Sequence, residues 1–169
     1  MHFSALLLTA VLSVDPPAAP SCPTELFRIA RSKNANVVVY EVAPGPVSGR
    51  APGERVTAMW LMLAGKGERE GLTFLERAFG FGFTTRVAPS GPGVWLTLNA
   101  LKDRVVRVGE QGGCPVAVTS IGGHDGVLKH IYVKASDGFF LPSVEYVEIF
   151  GADSGTGAEL YEKVVPGKR

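Results

Sequence analysis

The sequence predicts a mainly β protein, an antiparallel β-barrel or sandwich of about nine to ten strands with one amphipathic helix. Three observations predict it. Short β-branched and aromatic runs recur along the chain, separated by turn residues. Those turn residues are plentiful, with 21 glycines and 12 prolines among 169 residues. Only one segment carries apolar residues at helical spacing. The length allows one domain with a substantial core, and no internal repeat divides it.

The chain opens with an apolar run from Phe3 to Val14, followed by Asp15, two prolines and small residues. That length suits the apolar region of a secretory signal and is too short to span a bilayer. Residues 1–20 therefore read as a signal peptide, with His2 and the terminal amine as the only early positive charge. The competing reading is a buried N-terminal element of a cytosolic protein. The first reading sends the protein to the periplasm or cell envelope. Ala19-Pro20-Ser21 is a poor lead-in to a lipid-modified Cys22, so a lipoprotein is not expected. No later segment is apolar enough to span a membrane.

Residues 25–166 then read as a single β-rich domain. ELFRIAR (25–31) alternates weakly, and VVVYEV (37–42) is β-branched and aromatic. Residues 43–55 are a loop rich in Pro and Gly. VTAMWLML (56–63) is apolar almost throughout, as expected of a strand covered on both faces. In residues 68–80, Leu72, Leu75 and Phe79 recur at helical spacing, and the segment 69–79 is predicted as the helix. Strands resume at 81–88, 93–101, 104–108, 116–121, 127–135, 144–151 and 159–165. The turns PSGPG, EQGGCP, GGHDG and ADSGTG stand between them. The expected core is Val37, Val39, Trp60, Leu72, Leu75, Phe79, Leu96, Leu98, Ile131, Val133, Val147 and Ile149.

Several segments resemble one family in order and in kind. They are RSKNANVVVYEV (31–42), the Trp60 strand, LERAFGFGF (75–83), LKHIYVKA (128–135) and VEYVEIFGADSGTG (144–157). On these segments the chain resembles the bacterial family called domain of unknown function 4833, over roughly residues 25–166. Met59 and Phe79 stand where that family often has tyrosine. The resemblance implies a β-rich domain, often behind an export signal, and brings no activity with it.

Charge and motifs narrow the functional classes. A formal net charge of +1 gives no basic excess for nucleic acid. No Gly-x-Ser-x-Gly elbow, HExxH or CxxC is present. GKGEREG (65–71) fails the phosphate-loop pattern and reads as a turn, and His124-Asp125 lies in turn chemistry. Metal and cofactor are not expected. Cys22 and Cys114 allow one disulfide in an exported protein. The alternative, to which the reading leans, leaves Cys22 in a tail and Cys114 as a turn cysteine before Pro115.

Two groups of residues are candidate ligand sites. Arg31, Ser32, Asn34 and Asn36 cluster between two strands. Their composition is that of a tight turn, since asparagine tolerates the left-handed conformation and bonds nearby backbone. They are also donors and acceptors grouped at one barrel end, where ligand mouths lie. Lys129, Tyr132, Glu145 and Tyr146 form the second group. Strict alternation puts Glu145 on the face of Val147 and Ile149, and Glu148 on the other with Tyr146. Whichever face is interior, its glutamate then needs a cation, and Lys129, Lys134 or Arg31 are the candidates. Two functions follow. One is a non-enzymatic envelope module that binds a small molecule, wall component or protein. The other is an envelope hydrolase using Glu145 or Glu148 as acid or base, with Arg31 and Tyr132 or Tyr146.

Overall fold

The computed structural model describes residues 22–43, 54–89, 93–136 and 143–165. The expected signal peptide and most of the 43–55 loop lie outside them. Among the described residues eleven strands belong to one sheet that curls into a half-barrel. They are β1 (Glu25–Arg31), β2 (Val37–Val42), β3 (Val56–Met62), β4 (Glu68–Gly71), β5 (Phe83–Val87), β6 (Val94–Leu98), β7 (Val105–Gln111), β8 (Cys114–Ile121), β9 (His124–Ser136), β10 (Ser143–Asp153) and β11 (Glu159–Val164). Among the same residues one α-helix, α1 (Phe74–Phe79), stands between β4 and β5.

The longest strand, β9, organises the sheet. Along one edge it pairs with β10 from Gly126 to Ser136. Its other edge is shared. Its first residues, His124–Val127, pair with β8, and His130–Val133 pair in parallel with β1. Two lobes therefore leave the same edge end to end, β1-β2-β3-β4 and β8-β7-β6-β5. They curl over a common core. Phe27, Ile29, Val38 and Tyr40 come from one lobe, Leu96, Leu98 and Val106 from the other, and Leu128, Ile131, Val147 and Ile149 from the β9–β10 pair.

That arrangement explains a correction. Cys22 and Cys114 are joined in a disulfide, with Cα atoms 5.3 Å apart, where the sequence leaned towards leaving them apart. Cys22 precedes β1 and Cys114 opens β8, two strands far apart in sequence that abut along β9.

A second correction concerns the helix. Residues 68–71 are a strand, β4, paired with Met59–Met62, so the helix starts only at Phe74. Thr73 caps it: its hydroxyl accepts from the Glu76 amide while the Glu76 carboxylate accepts from the Thr73 amide. Leu72 is buried, but it precedes the helix. Leu75 is 65% exposed and Phe79 78% exposed, so neither belongs to the core. Polar bonds hold the helix instead. The Trp60 indole donates to Glu76 Oε1 at 3.0 Å, and Asn99 Nδ2 donates to the Arg77 carbonyl at 2.8 Å.

His124 and Asp125 are a third correction. The turn between β8 and β9 is Gly122-Gly123, both at positive φ, which glycine adopts without strain. His124 and Asp125 already belong to β9, and Asp125 pairs with Arg107 at 2.7 Å.

Candidate functional site

Two β-bulges decide which side chains leave the core. Along β9 and β10, His130 faces Phe150 and Leu128 faces Gly151, so Lys129 is an extra residue. Further on, Ala135 faces Val144 and Lys134 faces Tyr146, so Glu145 is extra in its turn. Strict alternation fails at both points. Lys129 is exposed rather than grouped with Ile131 and Val133, and Leu128 joins Ile131 in the core. Glu145 is exposed although Val147 and Ile149 are buried, so the buried carboxylate foreseen there does not arise.

Between the bulges the outward side chains of β9 and β10, with those of β11, form a ladder of rings. His130 lies 5.6 Å from Phe150, and Phe150 lies 5.3 Å from Tyr161. Tyr132 and Tyr146 stand 6.5 Å apart. Register explains these contacts, because His130, Phe150 and Tyr161 are cross-strand neighbours on three adjacent strands. Polar groups sit among the rings. The Tyr161 hydroxyl donates to Glu148 Oε1 at 2.9 Å. Lys163 Nζ lies 4.0 Å from the same oxygen and 3.6 Å from the centre of the Tyr146 ring.

The electrostatics follow from these contacts. The hydrogen bond to Glu148 holds the Tyr161 hydroxyl above its ordinary value, with burial and the Glu148 charge adding to it. Burial, then the nearby Arg28 charge, pushes His130 below its ordinary value. Its Nε2 is buried without a hydrogen-bond partner. Tyr132 and Tyr146, both singled out from the sequence, belong to this face. Phe150, Tyr161 and Lys163 were missed; alternation in ELYEKV and VEYVEIF was their available signal.

The first sequence-predicted group occupies a different place. Ser32 extends the β1–β9 ladder: its amide donates to the Val133 carbonyl at 2.9 Å, and its hydroxyl accepts from the Ala135 amide at 3.0 Å. The Asn36 amide donates to Asn34 Oδ1 at 2.9 Å, closing an Asx turn. Lys33 takes the left-handed position at φ 61°. Arg31, Ser32, Lys33, Asn34 and Ala135 line an open hollow of about 170 Å³. Asn36 does not line it. The hollow and the ring ladder both adjoin β9, but they share no lining residue.

The family model described as domain of unknown function, DUF4833, matches residues 27–163. The chain belongs to the DUF4833 family. No curated protein and no solved structure matches it. The matched span runs from β1 to β11, so the DUF4833 domain includes the turn, both bulges and the ring ladder. Among the described residues no group of three or more His, Cys, Asp or Glu side chains is placed to hold a metal ion. Among the same residues no helix is long and apolar enough to cross a membrane.

Proposed function

We propose that this DUF4833 protein is a non-catalytic binding module of the periplasm or cell envelope. Its ligand is a glycan, free or in the wall, taken on the outer face of β9–β11. One observation carries the reading: a ladder of rings, with Phe150 and Tyr161 exposed and His130, Tyr132 and Tyr146 half-buried, interleaved with Glu148, the Tyr161 hydroxyl and Lys163. Rings offer flat apolar area to sugar C–H faces, while the polar tips supply hydrogen bonds to hydroxyls. Export is supported by the apolar leader and by the Cys22–Cys114 disulfide, since such bonds persist in oxidising compartments. The test is calorimetric titration of the mature protein with soluble peptidoglycan fragments and with a neutral glucan. Tyr161→Ala is expected to weaken binding about tenfold or more, the size of effect a central aromatic contact carries. Binding unchanged in Tyr161→Ala and Phe150→Ala would overturn the reading.

A second reading keeps Glu148 as an acid or base in an envelope hydrolase, favoured by its hydrogen bond to Tyr161. Glycoside hydrolysis needs a second carboxyl group across the scissile bond. Glu145, exposed at its bulge, is the other glutamate on β10. Reducing-end release from the same fragments, lost in Glu148→Gln, would favour this reading over binding alone.

A further inference from the structure

The two lobes end in strands that do not meet. Among the described residues β5 pairs with β6 alone, and β4 covers only the Met59–Met62 half of β3. Between β5 and the uncovered half of β3 lies an open cleft of about 400 Å³. Val56, Thr57 and Ala58 form one lip, Phe83 and Thr85 the other, and Leu72 and Phe81 line it as well.

Ladder parity shows what the lips present. The Ala43 amide donates to the Arg55 carbonyl at 2.9 Å. In an antiparallel ladder every second residue then bonds β2, and Val56 and Ala58 turn their own N–H and C=O groups away from it. Across the cleft, the Asn99 amide donates to the Gly82 carbonyl at 2.9 Å and the Ala88 amide to the Gly93 carbonyl at 3.0 Å. By the same count Phe83, Thr85 and Val87 turn theirs away from β6. Both lips therefore carry backbone donors and acceptors that the ladders leave over. An edge of this kind is a template for another strand. The charge in the cleft is of one sign: Arg77 lines it and forms no ion pair among the described residues.

We infer that this cleft is a peptide-binding site, separate from the ring ladder. It takes an extended segment of a partner protein that adds as a strand to β5 and sets a carboxylate against Arg77. Main-chain bonds to β5 supply affinity, and alternate side chains enter the cleft over Leu72 and Phe81. The departure of the chain at Leu72 creates the site. Continued along β3, β4 would have faced Ala58, Thr57 and Val56; instead Leu72 turns into the core and α1 follows.

The probe is a fluorescein-labelled octapeptide of alternating threonine and valine with one central glutamate. It is titrated into the mature, disulfide-bonded protein by anisotropy, and amide exchange is followed by NMR. Binding is expected to slow exchange at Phe83, Thr85 and Val87 by about tenfold or more. N-methylation of alternate peptide residues is expected to abolish binding. Arg77→Glu, on an exposed helix position, is expected to weaken binding about three- to tenfold, and a peptide carrying lysine for glutamate to restore it. Absence of binding would overturn the proposal. So would binding that tolerates N-methylation, or β5 amides already slow in the free protein, which would mean that the chain fills its own cleft.

Discussion

Tyr40 illustrates how a single side chain ties the two lobes together. It is fully buried, stacks on Phe27 with ring centres 4.3 Å apart, and donates its hydroxyl to the Phe81 carbonyl at 2.6 Å. Burial holds that hydroxyl well above its ordinary value, so it remains a donor at any working pH. Tyr40→Phe would leave the Phe81 carbonyl without this donor. A cost of about 1–2 kcal/mol is expected, read from urea unfolding. Gly82 is constrained by space: a Cβ there would lie 1.7 Å from the Arg77 carbonyl oxygen. That atom is backbone and cannot swing aside, so Gly82→Ala is expected to cost about 2–3 kcal/mol by the same measurement. Sequence alternation did not single out Tyr40. VVVYEV is apolar at nearly every position, and Val37 to Glu41 are all buried, so period alone could not say which parity meets the main core. Val38 and Tyr40 do so, rather than Val37 and Val39. Nor was either bulge legible, because one extra residue in a strand changes no composition.

Most strands were visible as elements, since their β-branched runs end in Gly, Pro or Asp. The helix was visible only in part. Leu72, Leu75 and Phe79 have helical spacing, but the ladder from β3 claims Glu68–Gly71 first and moves the helix start to the Thr73 cap. Leu75→Asp is therefore expected to change stability by less than about 0.5 kcal/mol in thermal melts, as at other exposed positions. Glu76→Ala is expected to cost about 1 kcal/mol, the scale of a lost cap. Burial acts to raise the Glu76 carboxyl, but bonds from the Thr73 amide and hydroxyl and from the Trp60 indole outweigh it and hold it below its usual range. Strand β11 is fixed by charge as well as by its ladder. Arg104 holds Glu162 at 2.6 and 2.9 Å, and the Gly122 amide adds a third bond at 2.8 Å. The hydrogen bonds from Arg104 lead in lowering the Glu162 carboxyl below its usual range, against the effect of burial. With the folded value below the unfolded one, this contribution is complete above about pH 4.3, the ordinary glutamate value. It is lost as pH falls through the folded value. Melting curves of the protein and of Glu162→Gln should therefore differ most near neutrality and converge in acid.

For the whole molecule, the disulfide joins the two lobes where they abut. The cysteines are 92 residues apart in sequence. A loop of that length gives about 4–5 kcal/mol in the chain-entropy account. Cys114→Ser is expected to lower the melting temperature by a matching amount, and a reducing agent to have the same effect on the native protein and none on the variant. The expected barrel or sandwich class and the half-barrel seen agree in strand type and direction, but the branching at β9 was hidden. Which strands share an edge is a long-range property, and no local pattern in HDGVLKHIYVKAS records that its two ends serve different neighbours.

That shared edge also sets the order in which a nascent chain can mature. Strand β1, made early, lacks its parallel neighbour until residues 130–133 have emerged, and β8 waits on residues 124–127 of the same strand. Pairing at such separation is slow to nucleate. The two lobes therefore cannot be fastened to each other through the sheet before that one strand is available to both.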